Sequence, residues 1–352
     1  MKVYIDLEHL KSLANNMDKE VLKLIRENFD IYYCFDEKDI KKEKRQKIQK
    51  IENWQKNLSE GRKNKSIQYN IKVPLFGNDL LSNSQDYLQS IFLTTNTDIP
   101  NGILSCVPGK ELVTLRNLLI EGKCVPAKFY YTRPEDNSAI KTWDIVTRNI
   151  SPCTDIIIND RYLFAQSHIE YENNAYKLIE ELSRKSIGQC LNIVIITRDC
   201  FYMKEKNREK NKYEYKKYPI LIDTIIQNLR EKINLITDKE VNITIVAQKE
   251  ESHEQIHDRA IFTNYKLFIS GDSLKYYKEI RDKETKTNKI DFISNGLWFG
   301  VCSLFDDEHN KIAKRFLQDL QILIDNLKKI DNSHIIKPKC IHGDKKSNFL
   351  VF

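Results

Sequence analysis

Residues 241–274, VNITIVAQKEESHEQIHDRAIFTNYKLFISGDSL, contain an apolar strand, a loop rich in acids and histidines, and two further strand-like runs. His257 and Arg259 lie two positions apart within this stretch. On a strand, residues two apart point to the same face, so we expect an imidazole beside a guanidinium. This pair suits a phosphodiester, because histidine can attack phosphorus or transfer a proton and arginine can hold phosphate oxygens in a fork.

The spacing resembles the motif of the phospholipase D-like superfamily, His-x-Lys-x4-Asp followed by Gly-Ser. His257, Arg259, Asn264 and the Gly-Asp-Ser segment at 271–273 occupy the corresponding positions. Three positions differ from the motif: arginine replaces lysine, asparagine replaces aspartate, and Ser273 falls one place late. If the chain is catalytic, the resemblance implies His257 as nucleophile, Arg259 as phosphate clamp, Asn264 at the third motif position, and no metal or other cofactor. It implies the fold more directly than the activity, because divergent members keep the fold for binding.

The elements predicted around this motif indicate an α/β fold. Residues 154–165 and 191–197 read as buried strands, and residues 174–185 and 218–235 have the apolar periodicity of helices. Strands and helices that alternate with short connections favour a mostly parallel sheet.

Three regions are predicted from these elements. Residues 151–330 are expected to form a phospholipase D-like domain, a mostly parallel sheet flanked by helices. Residues 1–150 are expected to form a separate N-terminal α+β domain of unknown type, and residues 331–352 a C-terminal tail. Within the first region, Asp6 and Glu8 follow a predicted strand, as acids do in metal-dependent nucleases of the PIN type. No later set of acids completes such a site, so Asp6 is interpreted as the start of a helix.

Composition limits the class of protein. The chain has 352 residues, an ordinary apolar content of 41% and a net charge of +7, which together indicate a folded protein of two or three domains. It has no apolar run long enough to span a membrane and no signal-peptide pattern, so we expect a cytoplasmic protein. The eight cysteines are scattered without a CxxC pair, which favours free thiols over disulfides or a zinc site.

The positive charge is concentrated in a few places. Seven basic residues and three acids occupy residues 204–217, with tyrosines among them, and this segment is expected to be a loop leaving the carboxyl end of a strand. Lysines and arginines can neutralise phosphates, and aromatic rings can stack on bases. The residues predicted to bind phosphate or nucleic acid are Arg161, Arg198, Lys204, Lys206, Arg208, Lys210, Lys212, Tyr213, Tyr215 and Ser273.

Three functions are consistent with these observations. The leading hypothesis is a non-catalytic phospholipase D-like module that binds nucleic acid or docks another protein subunit, since Asn264 lacks the carboxylate of the family motif. The alternative is a metal-independent phosphodiesterase or nuclease with His257 as nucleophile, in which case the single motif implies a site built across a homodimer. The third is a subunit of a larger bacterial assembly, such as an antiviral defence complex. No membrane partner is expected.

Overall fold

The structure is a computed structural model. It describes residues 2–60, 67–71, 90–95, 105–120, 128–131, 142–149, 153–165, 171–184, 186, 190–207, 212–248, 259–264, 266–270, 273–281, 284–292, 298–303, 307–332 and 340–344. The chain divides into two compact units, Met1–Cys124 and Val125–Phe352, here called the first and the second unit. Together they contain helices with parallel and mixed sheets, so the predicted α/β class is confirmed. The sheets themselves differ from the prediction: the first unit has a parallel sheet where an α+β domain was expected, and the sheet of the second unit is mixed and not mostly parallel.

The first unit is built on a parallel five-stranded sheet in the order β3-β2-β1-β4-β5. The central strands β1 and β4 are almost entirely buried, as expected for a parallel sheet covered on both faces. The elements of this unit are β1 (Lys2–Ile5), α1 (Leu7–Asn16), α2 (Lys19–Asn28), β2 (Asp30–Tyr33), α3 (Glu37–Ile40), α4 (Arg45–Ser59), β3 (Ile67–Gln68), β4 (Ser90–Leu93), β5 (Ser105–Cys106) and α5 (Glu111–Ile120).

Asp6 begins helix α1, as the sequence predicted. One of its carboxylate oxygens accepts a hydrogen bond from the backbone N–H of His9 at 2.6 Å, and the other accepts one from the N–H of Thr95 at 3.0 Å. The carboxylate therefore satisfies a free amide of the first helical turn and ties α1 to the end of β4. Across the described ranges, no group of three or more histidine, cysteine or acidic side chains is placed to hold a metal ion.

The second unit is built on a mixed eight-stranded sheet in the order β17-β11-β8-β7-β12-β13-β16-β6. Strands β7, β8 and β11 are parallel neighbours, and the other pairings are antiparallel. The elements are β6 (Lys128–Tyr131), α6 (Asp144–Asn149), β7 (Asp155–Asn159), a π-helical turn (Glu172–Tyr176) leading into α7 (Lys177–Ser183), β8 (Cys190–Arg198), β9 (Cys200–Asn207), β10 (Lys212–Pro219), α8 (Ile222–Asn234), β11 (Glu240–Gln248), β12 (Arg259–Thr263), β13 (Lys266–Ser270), β14 (Tyr277–Arg281), β15 (Asn288–Phe292), β16 (Trp298–Ser303), α9 (Asp307–Asn332) and β17 (Ile341–Gly343).

Helices cover this sheet on both faces. Alternate strand residues such as Ile158 and Ile195 share one buried core with helices α7 and α8. On the other face, the rings of Phe262 in β12 and Phe316 in α9 have centroids 4.9 Å apart. The near-continuous apolar runs of β7, β8 and β11 follow from this burial on both sides. No described helix is long and apolar enough to cross a membrane.

Two segments join the second sheet from outside the predicted limits. The predicted boundary at residue 150 places β6 in the N-terminal region, but β6 pairs antiparallel with β16, and the division between the units falls at residues 124 and 125. The predicted tail contains β17, which pairs antiparallel with β11 through Thr244, Ile245 and Val246. Both short strands are held by backbone pairing with strands that are distant in sequence. The periodicity of neighbouring residues, on which the prediction was based, cannot show such pairing.

Five of the six cysteines whose side chains the structure describes are buried, and Cys34 is partly buried. Burial raises the pKa of Cys153 and of Cys34 to about 12, and that of Cys106 to about 11. These thiols therefore stay protonated at neutral pH, which suits packing in the interior and not nucleophilic chemistry.

Candidate functional site

The carboxyl edge of the second sheet brings several charged residues together. Strands β7, β8 and β11 end at this edge because they are parallel, and β12 begins there because it runs antiparallel to β7. Gln248 at the end of β11 is in register with Arg198 at the end of β8. The backbone N–H of Arg198 donates to the carbonyl of Arg161 at 3.1 Å, and Arg259 is the first residue of β12.

Four cationic side chains converge on the ring of Tyr162 at this edge. The Cζ atom of Arg198 lies 4.8 Å from the ring centroid, and those of Arg161 and Arg259 each lie 5.9 Å from it. The Nζ atom of Lys275 lies 5.7 Å from the same centroid. We call these five residues the Tyr162 cluster. The π-face of a tyrosine attracts cations at such distances, so the ring partly offsets the cost of gathering them.

Like charges this close repel one another. Any two heads in the Tyr162 cluster are at most about 12 Å apart, since each lies within 6 Å of one centroid. At an effective dielectric constant of about 20, the repulsion is on the order of 1 kcal/mol for each pair or somewhat more. An anionic group placed among these heads would relieve that repulsion and accept several charge-assisted hydrogen bonds.

Asp160 fixes the backbone that supports the cluster. Its buried carboxylate accepts hydrogen bonds from the N–H of Tyr162 at 2.9 Å, from the hydroxyl of Ser273 at 2.6 Å and from the N–H of Leu274 at 2.6 Å. Burial raises the pKa of Asp160, while these three hydrogen bonds and the charge of Lys275 act in the opposite direction. The carboxylate thus joins the turn after β7 to the segment after β13, which carries Lys275.

Buried polar atoms also lie at this carboxyl edge of the sheet. Gln248 is only 3% exposed, and neither its Nε2 nor its Oε1 has a hydrogen-bond partner within the described part of the chain. The buried Nε of Arg259 also lacks a hydrogen-bond partner among the described residues. Leaving a buried polar group unpaired costs on the order of 1–3 kcal/mol, so these atoms are suited to receive a ligand that has both donors and acceptors.

Asn264, which the motif groups with Arg259, lies at the opposite edge of the sheet. The two positions are five residue steps apart along β12, a distance of about 16 Å at the usual rise of a strand. The Oδ1 of Asn264 accepts from the N–H of Thr154 at 2.9 Å and from that of Asp155 at 3.1 Å. Asp155 in turn accepts from Asn192 at 3.2 Å, which continues a buried polar row across β7 and β8. Asn264 therefore secures strand ends and does not reach the Tyr162 cluster.

The remaining predicted site residues fall into three groups. Arg161, Arg198 and Arg259 meet in the Tyr162 cluster, and Ser273 lies beside it with its hydroxyl donated to Asp160. Lys204 and Lys206 lie in β9, while Lys212, Tyr213 and Tyr215 lie in β10. The described residues do not include His257, Asp258, Arg208, Lys210, Gly271 or Asp272.

The basic segment after β8 is mainly a two-stranded ribbon, where the sequence predicted a loop. Strands β9 and β10 pair antiparallel over eight residues each, from Cys200 opposite Pro219 to Asn207 opposite Lys212. The tyrosines and the β-compatible alternation of the segment are typical of strands, but the high density of charge hides that pattern. The ribbon starts directly after Arg198 and Asp199 at the carboxyl edge of the sheet.

Sequence reasoning missed Tyr162, Gln248 and Lys275. Tyr162 directly follows the Asp-Arg pair at 160–161, and Gln248 is the last residue of a strand that the sequence did predict. Polar or aromatic residues at the carboxyl ends of predicted parallel strands were the available signal, because ligands gather at that edge. Lys275 had no such signal, since no predicted strand ends beside it.

Comparison with protein-family models, curated proteins and solved structures found no match.

Proposed function

We propose that the Tyr162 cluster binds a phosphate group of a nucleic acid, and that the second unit is a divergent phospholipase D-like domain acting as a binding module. The main support for the proposal is the convergence of three guanidinium groups and one ammonium group on a single ring, at a sheet edge that also carries the buried amide of Gln248. Guanidinium forks match phosphate oxygens in geometry and in charge. The amide of Gln248 adds a neutral donor and an acceptor for the ester or hydroxyl oxygens of a nucleotide.

The position of the cluster supports the same proposal. In α/β sheets, ligands bind outside the carboxyl ends of parallel strands. Arg161, Arg198 and Gln248 follow or end three such strands in adjacent register, so the sheet presents them as a row. Asp160 accepts three hydrogen bonds that orient the turn, and the charge of Lys275 also acts on its carboxylate.

Binding of fluorescently labelled oligonucleotides across a salt series tests the proposal. Arg259→Gln should weaken binding by about tenfold or more, because a lost charge-assisted contact is worth roughly 1.5–3 kcal/mol. Arg184→Gln removes the same charge from an exposed arginine paired with Glu181, and it should change affinity less than about twofold. Equal losses in the two variants would show that only net charge matters and would refute a built phosphate site.

Gln248→Leu separates binding from folding. The amide has no hydrogen-bond partner among the described residues, so an apolar side chain of similar size should leave the unfolding free energy unchanged or raise it. Phosphate affinity should fall several-fold in the same variant. A large loss of stability with unchanged affinity would mean that the amide serves the fold and not a ligand.

Hydrolysis of a phosphodiester is the alternative function. Asn264 does not argue against this function. Its amide lies at the far edge of the sheet, so the lack of a carboxylate there does not affect chemistry beside Arg259. In this version His257, two positions before Arg259 in sequence, attacks phosphorus and forms a phosphohistidine as the leaving oxygen departs. Water then hydrolyses that bond. Cleavage in EDTA by the wild type, abolished in His257→Ala, would establish the enzyme, and binding without cleavage in both would leave the binding module.

A further inference from the structure

The β9–β10 ribbon sorts its residues onto two chemically different faces. Residues directly opposite each other in an antiparallel pair share a face, and the faces alternate along the strand. Three consecutive pairs of one face each combine a tyrosine with a lysine; they are Tyr202 with Lys217, Lys204 with Tyr215, and Lys206 with Tyr213. This set is called the Tyr-Lys face. It contains three aromatic residues, three cations and no acid.

The opposite face has a different composition. In the register it pairs Glu205 with Glu214 and Met203 with Lys216. Near the base of the ribbon the rings of Phe201 and Tyr218 stack with centroids 5.7 Å apart, and Phe201 packs against the main core of the second unit. This face therefore anchors the ribbon at its base and carries no excess of positive charge.

Exposure of the described residues supports a binding role for the Tyr-Lys face. Tyr215 is 70% exposed and Tyr202 is 40% exposed, although a tyrosine ring is large and mainly apolar. Lys217, opposite Tyr202, is also exposed. Exposed aromatic rings between lysines are the arrangement that proteins use to stack bases while neutralising the backbone that links them.

We propose that the Tyr-Lys face of the β9–β10 ribbon binds single-stranded nucleic acid, a substrate class that deepens the function proposed above and rests on it. The exposed rings argue for a single strand. In a duplex each base face is covered by the neighbouring base pairs, so tyrosine rings on a protein surface cannot stack on it. Bases can stack on the rings of this face only if they are unpaired and exposed, as they are in a single strand.

The test uses the full chain and labelled oligothymidylate and oligouridylate of about 20 nucleotides, long enough for the roughly 4–16 nucleotides that such platforms cover, with a DNA duplex of equal length as competitor. Tyr215→Ala should weaken single-strand binding on the order of tenfold, because stacking on one ring contributes about that factor or more. Tyr215→Phe keeps the ring and should bind within about twofold of the wild type. Comparison of the thymidylate and uridylate probes shows whether DNA or RNA is preferred.

Lys216 and Lys217 provide a matched control. They are adjacent and exposed, and they carry the same charge, but the register places them on opposite faces. Lys217→Ala should weaken binding several-fold and lower the slope of log affinity against log salt by roughly 0.7, the value for one phosphate contact in a single strand. Lys216→Ala should leave both nearly unchanged. Equal effects of the two substitutions, or a duplex that competes as well as a single strand, would overturn the proposal.

The outcomes also separate this inference from the proposed phosphate site. Loss of affinity in Tyr215→Ala but not in Arg259→Gln would place nucleic acid on the ribbon and refute a role for the Tyr162 cluster. The reverse result would keep the phosphate site and refute the ribbon. Loss in both would support one continuous path for a strand. No loss in either would refute both proposals.

Discussion

Asp160→Ala should destabilise the second unit by about 2–4 kcal/mol. The substitution leaves the N–H groups of Tyr162 and Leu274 without their acceptor, and each unpaired buried amide costs on the order of 1–3 kcal/mol. The hydroxyl of Ser273 loses the same acceptor, but it can rotate. Part of the loss is offset, because burial raises the pKa of Asp160 and the folded state no longer has to keep a carboxylate away from water.

Ser273→Ala provides the matched comparison. It removes one of the three hydrogen bonds and leaves the carboxylate with both backbone donors, so it should cost about 1.5 kcal/mol. The double variant should be only slightly less stable than Asp160→Ala, since the bond between the two side chains can be lost only once. A coupling energy near zero would show that the two residues act independently.

Hydrogen exchange in a urea series measures this effect for each unit separately. Peptides from β7 and β8 report the second unit, and peptides from β1 and β4 provide an internal reference in the first. The reasoning is refuted if the exchange free energy of β7 and β8 changes by less than about 0.5 kcal/mol in Asp160→Ala. It is also refuted if the first unit is destabilised as much as the second. Oligonucleotide affinity should fall in the same variant, because Asp160 positions the backbone of the Tyr162 cluster.

Three further predictions concern stability. Burial lowers the pKa of His9 below its ordinary value of 6.5, so the unfolded chain binds more protons than the folded chain. The first unit should therefore lose stability as the pH falls from about 6.5 towards the lowered pKa. His9→Gln should flatten this dependence of the unfolding free energy on pH, measured by urea titration. Gly343→Ala should lower stability by about 3 kcal/mol more than Gly109→Ala does in thermal unfolding. Both glycines have a positive φ, +95° and +85°, but only at Gly343 would an added Cβ overlap the carbonyl oxygen of Ile243. Similar losses of stability in the two variants would contradict the packing argument. Asn264→Asp restores the carboxylate of the family motif but places it against the buried carboxylate of Asp155. It should therefore lower stability by about 1–3 kcal/mol without producing cleavage. Cleavage gained in a nuclease assay would disprove that reasoning.

Local features of the second unit were readable because they depend on sequence periodicity. The run at 191–197 predicted a parallel strand buried on both faces, and β8 is that strand. The apolar spacing at 218–235 predicted a helix, and α8 occupies most of that range. Asp6 was identified as a helix start because capping is decided within one turn. Each of these signals depends on a few neighbouring residues, so it can be read from the sequence without knowing which distant residues pack against them.

The structure brings three of the predicted site residues together. Arg259 was singled out by its spacing to His257, Arg161 by an Asp-Arg pair that repeats the one at 258–259, and Arg198 by its place at the carboxyl end of a predicted strand, where an α/β sheet gathers its ligands. Asn264 was grouped with Arg259 by motif spacing alone. The strand between them carries the two to opposite edges of the sheet. The spacing of two residues in the sequence gives their separation along a strand, but it does not show that both residues belong to one site.

The sequence by itself determined the α/β class and most elements of the second sheet, since periodicity and capping are properties of neighbouring residues. Only the tertiary structure decided which charges meet. Lys275 and Arg161 lie 114 positions apart in the chain, yet their heads share the ring of Tyr162. The register of β9 against β10 likewise separates a Tyr-Lys face from a face with paired acids. Strand order and register are set by the packing of the whole core, and a shift of one residue would exchange the two faces.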